Sequence, residues 1–308
     1  MKAVSVEHII KTYPDKKQTI TALNDVSFEV SKGELFGIIG PDGAGKTSLF
    51  RILTTLLLPD SGKATVEGFD TEKDYKAIRK ISGYMPGRFS LYQDLSVIEN
   101  LQFFATIFNT SVEENYDLIK DIYSQIEPFK HRRAGKLSGG MKQKLALSCA
   151  LIHRPVILFL DEPTTGVDAV SRKEFWEMLK RLKEQGITIL VSTPYMDEAG
   201  MCDRVALMQS GSILTIDTPE KIVTSFKHTL WGVRANQMYR LLNDLKAMPK
   251  VSHAYPSGIY HHVILKNGTE KQVLQQYLEA KGHAGLELIQ SVPTIEDCFM
   301  NLMEHTDA

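Results

Sequence analysis

The chain of 308 residues lacks several features that would place it in familiar protein classes. No apolar run approaches the ~20 residues that a membrane-spanning helix needs. Residues 1–7 do not have the pattern of a secretory signal peptide. We therefore expect that, if this protein works at a membrane, another chain supplies the membrane spans.

Cysteine and excess charge are also scarce. The three cysteines, Cys149, Cys202 and Cys298, are widely spaced and form no CxxC pair. This pattern predicts buried free thiols in a reducing compartment rather than disulfides or a metal site. The formal net charge is −1, and no basic stripe is present, which argues against a nucleic-acid partner. His261 and His262 are adjacent on a predicted strand, so they point to opposite faces and do not suggest a metal pair.

A glycine-rich segment, GPDGAGKT at residues 40–47, follows the apolar run 35–39 and precedes a helical pattern. Its glycines let backbone N–H groups converge on phosphate oxygens at a helix N-terminus. Lys46 would reach the β- and γ-phosphates of a nucleotide, and the Thr47 hydroxyl would ligate Mg²⁺. A plain glycine-rich turn is the alternative, but the strand–turn–helix setting favours nucleotide binding. The predicted binding residues are Gly40, Pro41, Asp42, Gly43, Ala44, Gly45, Lys46, Thr47 and Ser48.

Two carboxylates follow a second apolar run, VILFL at residues 156–160. Such a run suits a parallel strand buried on both faces, and ligands of open α/β sheets lie beyond the carboxyl ends of strands. Asp161 is therefore a candidate Mg²⁺ ligand, and Glu162 a candidate group to orient or deprotonate an attacking water. Two solvated carboxylates at a strand end are the less favoured alternative.

Two further candidates are weak by themselves. Ser138, Gly139 and Gly140 begin a predicted helix and offer an anion site, although an isolated LSGG is usually a helix cap. Tyr13 precedes the glycine-rich segment and could stack on an adenine, although an exposed tyrosine is unremarkable there.

Periodicity predicts the remaining organisation. Residues 1–39 read as an antiparallel strand region that leads into the first parallel strand. The helix after the glycine-rich segment should end just before Pro59, and residues 63–68 should form an edge strand. A mostly helical segment spans about 88–150. Its aromatic stripe is expected in the core: Val97, Leu101, Phe104 and Phe108.

A change of pattern after residue 226 predicts a small second module. Residues 227–308 alternate helical stripes and short strands, which is typical of an α+β domain. Thr269 and Gln272 are expected to form a capping box, and a last helix should start at Thr294.

Together these motifs resemble a known family. The order GPDGAGKT (40–47), LSGGMKQK (137–144), VILFLDEP (156–163) and TGVD (165–168) resembles the nucleotide-binding subunits of ABC transporters over roughly residues 3–226. The glycine-rich segment with Asp42, the stretch FSLY at residues 89–92 and the LSGGMKQK segment resemble more particularly the ATPases of ABC-2-type exporters, above all the amino-terminal half of tandem ATPases in multidrug-efflux systems with a membrane-fusion partner. Residues 227–308 are similar to that group's carboxyl-terminal domain.

The resemblance implies an α/β fold: a P-loop NTPase of ABC type in residues 1–226, followed by a small α+β domain in 227–308. The first domain would contain a RecA-like core, an antiparallel β-subdomain and a helical subdomain near 88–150. It also implies a head-to-tail dimer that holds two ATP molecules with Mg²⁺. In it, Tyr13 stacks on adenine, Lys46, Thr47 and Asp161 handle phosphate and Mg²⁺, and Glu162 activates water. The LSGG residues face the partner's ATP, and Asp168 belongs to the turn that communicates across the dimer.

Two positions depart from the family pattern. The family usually has a glutamine that contacts Mg²⁺ where this chain has Gly87, and Gln93 is no clear substitute. It usually has a histidine that reaches the γ-phosphate where this chain has Pro194, which offers neither an imidazole nor an N–H. The resemblance therefore implies a site that binds ATP and hydrolyses it poorly, while the intact LSGG helix completes a partner's site. A heterodimer is favoured over a homodimer.

The expected function is the ATPase subunit of an exporter for drugs or other amphipathic cargo, bound to a separate ABC-2-type permease at the inner face of the cell membrane. One alternative is a regulatory nucleotide-binding protein with little turnover, which Gly87 and Pro194 keep open. Another is a non-transport ABC ATPase, but the tandem ATPase or long coiled-coil insertions of that class are not found here.

Overall fold

The computed structural model of the chain describes residues 1–14, 19–266 and 268–304. Residues 305–308, the end of the predicted second module, lie outside the described residues. The chain divides into two compact units. Met1–Glu220 forms most of the first unit, and Lys221–Asn301 forms the second.

The described chain up to residue 224 forms ten strands and seven α-helices, and all of them except the last helix, which crosses into the second unit, lie within the first unit. In chain order they are β1 (Lys2–Pro14), β2 (Thr19–Ser31), β3 (Leu35–Ile39), α1 (Lys46–Leu53), β4 (Ser61–Val66), β5 (Phe69–Asp70), α2 (Tyr75–Ile81), β6 (Ser82–Met85), α3 (Val97–Ile107), α4 (Tyr116–Tyr123), α5 (Gly139–Leu151), β7 (Ile157–Asp161), α6 (Ala169–Glu184), β8 (Thr188–Thr193), β9 (Arg204–Gln209), β10 (Ser212–Asp217) and α7 (Pro219–Thr224).

A six-stranded sheet forms the centre of this unit, in the order β10-β9-β3-β8-β7-β6. All neighbouring pairs are parallel except β10 with β9. Every residue of β3, β7 and β8 is buried, as the continuous apolar runs predict. Because parallel strands end at the same edge of the sheet, the residues after β3, β6, β7 and β8 lie along one edge.

A second, antiparallel sheet packs near the first, in the order β2-β1-β4-β5. Its inward side chains share one apolar core with α1 and the central sheet, including Val26, Phe50 and Phe159. The prediction of an edge strand at residues 63–68 was wrong, because β4 lies between β1 and the two-residue β5. The described strands thus confirm the α/β class with an antiparallel subdomain.

The helix α1 ends at Leu53, earlier than predicted. The Thr54 hydroxyl donates to the Phe50 carbonyl, and Thr55 adopts a left-handed backbone conformation with φ of 63°. A threonine there cannot continue a right-handed helix. The chain therefore leaves the helix well before Pro59, whose effect on the helix end was overestimated.

The segment between β6 and β7 is mainly helical, as predicted, and contains α3, α4 and α5. Its aromatic stripe was only partly assigned correctly. Val97 and Leu101 are fully buried, but Phe104 and Phe108 line an open cavity. Ser96 caps α3 through a complete capping box with Glu99, which the sequence analysis did not identify.

The second unit is built as a βαββαβ module. In chain order its elements are β11 (Leu230–Arg234), α8 (Met238–Ala247), β12 (Val251–Ser257), β13 (Tyr260–Leu265), α9 (Lys271–Ala280), β14 (Glu287–Ser291) and α10 (Ile295–Glu304). The sheet order is β12-β13-β11-β14 with every neighbouring pair antiparallel, which is a ferredoxin-like arrangement. The predicted capping box at Thr269 was wrong: α9 starts after Glu270, and no side chain caps it.

A buried carboxylate attaches the start of α10 to the sheet of the second unit. Asp297, 1% exposed, accepts hydrogen bonds from His262 Nδ1 at 2.6 Å and the Tyr255 hydroxyl at 2.7 Å. Its other oxygen accepts from the Thr294 N–H and hydroxyl, both at 2.7 Å. Burial raises the pKa of Asp297, but these hydrogen bonds outweigh burial and hold the pKa at about 2.

Two further properties bear on the expectations above. None of the helices in the described ranges combines the length and apolarity needed to cross a membrane. The three cysteines are free and buried, as predicted. Burial raises the pKa of Cys298 to about 11 and that of Cys149 still further.

We predict that Asp297→Asn lowers the thermal stability of the chain at pH 7. The folded-state pKa lies below the unfolded value, so the carboxylate stabilises the fold above pH 4 and loses this effect as the pH falls towards 2. The difference between the two proteins should be on the order of 2 kcal/mol at pH 7 and should shrink below pH 4. Denaturant unfolding across this pH range measures it. Equal stabilities at pH 7 would contradict the assignment.

Candidate functional site

The loop between β3 and α1 surrounds a cavity of about 400 Å³. Its backbone conformation requires glycine at two positions: Gly43 and Gly45 have φ of 81° and 106°. A Cβ atom at Gly45 would also lie 2.3 Å from the carbonyl oxygen of Ala22. The lining residues of the cavity are Ala22, Asp42, Gly43, Ala44, Gly45, Lys46, Thr47, Ser48 and Glu162.

Lys46 is the buried cation of this site, with 3% of its surface exposed. Its ammonium donates to the carbonyls of Gly40 at 2.8 Å and Pro41 at 3.0 Å. Glu162 Oε1 lies 3.1 Å from it. The loop thus folds back over the first residue of α1, and the lysine side chain holds the loop, the helix and the end of β7 together.

The carboxylates that follow β7 are oriented by a neighbouring strand. Ser192, fully buried on β8, donates its hydroxyl to Asp161 Oδ1 at 2.6 Å. The same hydroxyl accepts from the Glu162 N–H at 3.0 Å. Glu162 has φ of 50°, a left-handed conformation that is uncommon for a non-glycine residue. One serine hydroxyl therefore fixes both predicted acidic residues, and the strained backbone turns Glu162 towards Lys46.

Tyr13 lies beside α1, the helix that follows the glycine-rich segment 40–47. Its hydroxyl is 3.2 Å from Ser48 Oγ, and the Lys11 ammonium lies 5.9 Å from the centre of its ring. The ring is partly exposed and stands close to the loop, although Tyr13 precedes it by 27 residues. Its place on β1 is thus compatible with the predicted stacking role.

The LSGG segment and the following turn form a separate region. Ser138 caps α5 by accepting from the Met141 N–H at 3.4 Å, and Ser138 and Gly139 are exposed. Asp168, also exposed, caps α6 by accepting from the Val170 and Ser171 N–H groups. These backbone hydrogen bonds, with that of Ser171 the largest effect, lower the pKa of Asp168.

This region is adjacent to the turn 164–168 but does not line the loop cavity. A Cβ atom at Gly139 would lie 3.3 Å from the Gly166 carbonyl, and one at Gly140 would lie 2.9 Å from the Ser171 hydroxyl. Ser138, Gly139, Gly140 and Asp168 are absent from the described lining of the cavity. The predicted site residues thus form two groups within one chain, one around Lys46 and one on an exposed face.

The two departing positions lie at the sheet edge that carries the carboxylates. A Cβ atom at Gly87 would lie 3.2 Å from the Asp161 carbonyl oxygen. Pro194 directly follows Thr193, whose carbonyl accepts the Gly40 N–H at 3.2 Å. Gln93 is placed elsewhere: its carbonyl accepts from the Gly135 N–H at 2.9 Å, and its side-chain Oε1 would lie 3.6 Å from a Cβ atom at Gly135. It therefore does not replace a side chain at position 87.

Sequence reasoning missed three residues of this region: Ala22, Ser192 and Glu198. Ala22 belongs to β2 of the antiparallel sheet, and no sequence motif around it predicts that it lines the loop cavity. Ser192 had a usable signal, because a polar residue in a fully buried strand needs a hydrogen-bond partner. Glu198 lies in a short 3₁₀ segment (Met196–Met201) and is 3% exposed, and its burial shows only in the structure.

A second cavity, of about 380 Å³, opens beside the helical segment. We call it the aromatic groove. Tyr84, Phe89, Phe104, Phe108 and His153 line it, with aliphatic residues of α2 and α5 between them. Phe108 and His153 stack with their centroids 3.7 Å apart, and burial lowers the pKa of His153. At least one aromatic neighbour is open to solvent: Tyr92 is 50% exposed and packs edge-on against Phe103.

The residues around the first cavity fit a magnesium nucleotide. Its volume lies within the range of small-molecule sites. Gly43 and Gly45 carry no side chain that could cover the loop N–H groups, and among the described residues the Lys46 ammonium is partnered by two neutral carbonyls and one carboxylate. Asp161 is buried at 2% exposure and keeps an oxygen without a hydrogen bond to a described residue. These are the donors and acceptors that polyphosphate and Mg²⁺ require.

The sequence is similar to ATP-binding proteins of transporters. Residues 23–165 match the family described as ABC transporter. Over 304 residues the chain is 37% identical to the probable multidrug ABC transporter ATP-binding protein YbhF of Escherichia coli (strain K12), covering 97% of this chain and 52% of that protein. The chain thus spans about half the length of that relative. It is 33% identical to the Nod factor export ATP-binding protein I of Rhizobium sp. (strain N33), covering 97% of this chain and 96% of that protein.

A solved structure shows the same architecture. The dimeric post-hydrolysis structure of the ATP-binding cassette MJ0796 bound to ADP and Pi matches with a TM-score of 0.64 and 26% identity, covering 70% of this chain and 98% of that chain. ABC ATPase domains bind ATP, generally with Mg²⁺. The predicted family and fold class are confirmed by these similarities: the chain belongs to the ATP-binding proteins of ABC transporters.

Proposed function

We propose that this chain is an ATPase subunit of an exporter for drugs or other amphipathic molecules, that it works with a separate membrane permease, and that its own ATP site turns over slowly. The observation that carries the proposal is a contrast within the chain. The groups that would face a partner's nucleotide are complete and exposed, whereas two groups are missing beside its own site. The names of the relatives support the exporter class.

At its own site the residues would divide the work as follows. Lys46 and the loop N–H groups bind phosphate oxygens, and Tyr13 stacks on the base. Thr47 and Asp161 hold Mg²⁺, which when bound neutralises phosphate charge. Ser192 keeps Asp161 in position, and Glu162 orients a water molecule or accepts its proton.

Slow turnover follows from the missing donors. Pro194 stands where an imidazole would reach the γ-phosphate, and Gly87 stands against Asp161 with no side chain. Removal of one donor from a developing charge costs about 3 kcal/mol, which is roughly 10²–10³ in rate. Binding is affected less, because Lys46 and the loop amides are retained. The presence of Glu162 predicts slow residual hydrolysis rather than none.

The exposed face would complete another subunit's site. Ser138 and Gly139 present a hydroxyl and a helix N-terminus to solvent, and Asp168 begins the next helix beside them. A symmetric, fully active homodimer does not explain one complete face and one depleted site. We propose a heterodimer in which a second ATPase chain supplies the active glutamate and this chain mainly holds ATP. A membrane-fusion protein would belong to the same exporter, and this chain would bind at the inner face of the cell membrane.

The aromatic groove is the proposed contact with the permease. It is apolar, lies between the central sheet and the helical segment, and is bordered by the connection 86–91 after β6. That connection leads back to Gly87 beside Asp161, so an occupant of the groove would be linked to the Mg²⁺ ligand through a few residues of backbone. Phe89 and Tyr92 are the proposed anchors for a short helix of the permease.

We predict that a photo-crosslinking residue at position 89 or 92 links this chain to a cytoplasmic loop of a permease. The groove supplies apolar contact area, and aromatic anchors dominate such interfaces. Ile20, an exposed residue on β2, provides the control position. Mass spectrometry of crosslinked cells identifies the partner. Crosslinks only to ribosomal proteins or nucleic acid would support a non-transport ATPase instead.

The asymmetry predicts how glutamate substitutions act in the purified heterodimer. Replacement of the partner's water-activating glutamate should remove steady-state hydrolysis, whereas Glu162→Gln should leave most of it. Ser138→Ala should abolish it, because this serine would complete the partner's site. Lys63→Ala, on an exposed position of β4, is the control for handling of the complex.

Two outcomes would contradict this proposal. Loss of activity with Glu162→Gln would show that this chain's site turns over, and full activity of the isolated chain would remove the need for a partner. If neither the isolated chain nor the complex hydrolyses ATP, the regulatory alternative, which Gly87 and Pro194 favour, replaces the transport ATPase.

A further inference from the structure

A buried carboxylate joins the segments on either side of the candidate site. Glu198 is 3% exposed and accepts hydrogen bonds from the Thr193 hydroxyl at 2.5 Å and the Thr164 hydroxyl at 3.1 Å. Thr193 ends β8, directly before Pro194. Thr164 is itself 1% exposed and lies two residues after Glu162. One side chain thus contacts the last residue of β8 and a residue shortly after β7, its neighbour in the central sheet.

Arg172 connects the same carboxylate to the exposed turn. Its Nε lies 3.3 Å from Glu198 Oε1, and its Nη2 lies 2.8 Å from Asp197 Oδ2. Its guanidinium also stacks over the Tyr195 ring at 4.4 Å. Arg172 is in the first turn of α6, where its N–H donates to the carbonyl of Asp168 at 2.9 Å. The arginine therefore ties the capped start of α6 to the segment 193–198.

The opposite charges of Arg172 and Glu198 hold the start of α6 and the segment 193–198 together. A carboxylate this deeply buried requires a cation and hydrogen bonds, and Arg172 is the cation paired with Glu198 among the described residues. Removal of Arg172 leaves the buried charge of Glu198 without a cation, whereas removal of Glu198 leaves Arg172 paired with Asp197. The turn 164–168, the first turn of α6 and the end of β8 are consequently held at fixed spacing by a single group.

We infer that Glu198 and Arg172 are positioning residues that couple the exposed turn at Asp168 to the phosphate-facing end of β8. Displacement of the turn by a partner chain moves the start of α6, and Arg172 transmits that movement through Glu198 to Thr193 and Pro194. The coupling reaches this chain's own site without any contact between Arg172 and nucleotide. The expected effect of this coupling on ATP turnover rests on the proposed function. The contacts that join Arg172, Glu198 and Thr193 do not depend on that function.

The alternative is an ion pair that only stabilises the fold. A matched control on the same helix separates the two. Lys183, near the other end of α6, pairs with Asp203 at 2.6 Å and contacts neither the turn nor β8 among the described contacts. Lys183→Gln therefore removes an ion pair from α6 without touching the proposed link.

The first experiment measures amide hydrogen exchange in the full chain for the wild type, Arg172→Gln, Thr164→Val and Lys183→Gln. Arg172→Gln should raise exchange together in the segments 164–172 and 190–198, although the substitution lies in only one of them. Thr164→Val, which removes one hydroxyl, should do the same to a smaller extent. Lys183→Gln should change neither. Exchange that rises only around the substituted residue would overturn the link, whatever the activity of the protein.

The second experiment measures ATP hydrolysis by the complex with its partner ATPase and, separately, the ATP-induced thermal shift of the isolated chain. Arg172→Gln should lower kcat of the complex on the order of tenfold and leave the thermal shift unchanged. A structural role alone would lower both together or match the Lys183→Gln control, and either result would overturn the coupling. Absence of hydrolysis in the wild-type complex would refute the proposed function instead, and the exchange data would still decide the link.

Discussion

The candidate nucleotide site depends on Lys46, a buried cation whose charge requires negatively charged partners. The Lys46 ammonium lies within hydrogen-bond distance of two loop carbonyls and one carboxylate, almost without access to water. Neutral carbonyls compensate a buried charge only in part, and Glu162 contributes one negative charge. In the proposed mechanism a polyphosphate would bring several charges to the same place and free Glu162 to act on water. The Lys46 side chain contacts the loop and the residue that follows β7.

Parallel topology explains why sequence reasoning located this centre. Once the runs before Gly40 and Asp161 are assigned as buried parallel strands, their carboxyl ends must share one edge, and Lys46 and Glu162 must approach each other. The departures at Gly87 and Pro194 came from the family resemblance rather than from topology, and the structure places Gly87 against Asp161 at this edge. Residues that are close because of sheet topology can therefore be predicted from local patterns.

The missed features depend on long-range contacts or on single backbone conformations. The helix α1 ends before Thr55, which adopts a left-handed backbone conformation that residue propensities do not predict. Phe104 and Phe108 have core-like spacing, but their surroundings leave a groove. Ser192 and Glu198 are ordinary polar residues until the fold buries them beside Asp161 and Arg172. Such contacts join segments about 30 residues apart, which periodicity does not relate.

In the proposed site Lys46 exchanges its protein partners for nucleotide phosphates. The direct test is the thermal shift of the isolated chain with ATP and Mg²⁺, compared for the wild type, Lys46→Ala and the exposed control Lys63→Ala. Ligand that binds only the folded state stabilises it by RT ln(1 + [L]/Kd). We expect a shift of several degrees for the wild type and Lys63→Ala, and none for Lys46→Ala. An undiminished shift in Lys46→Ala would contradict it.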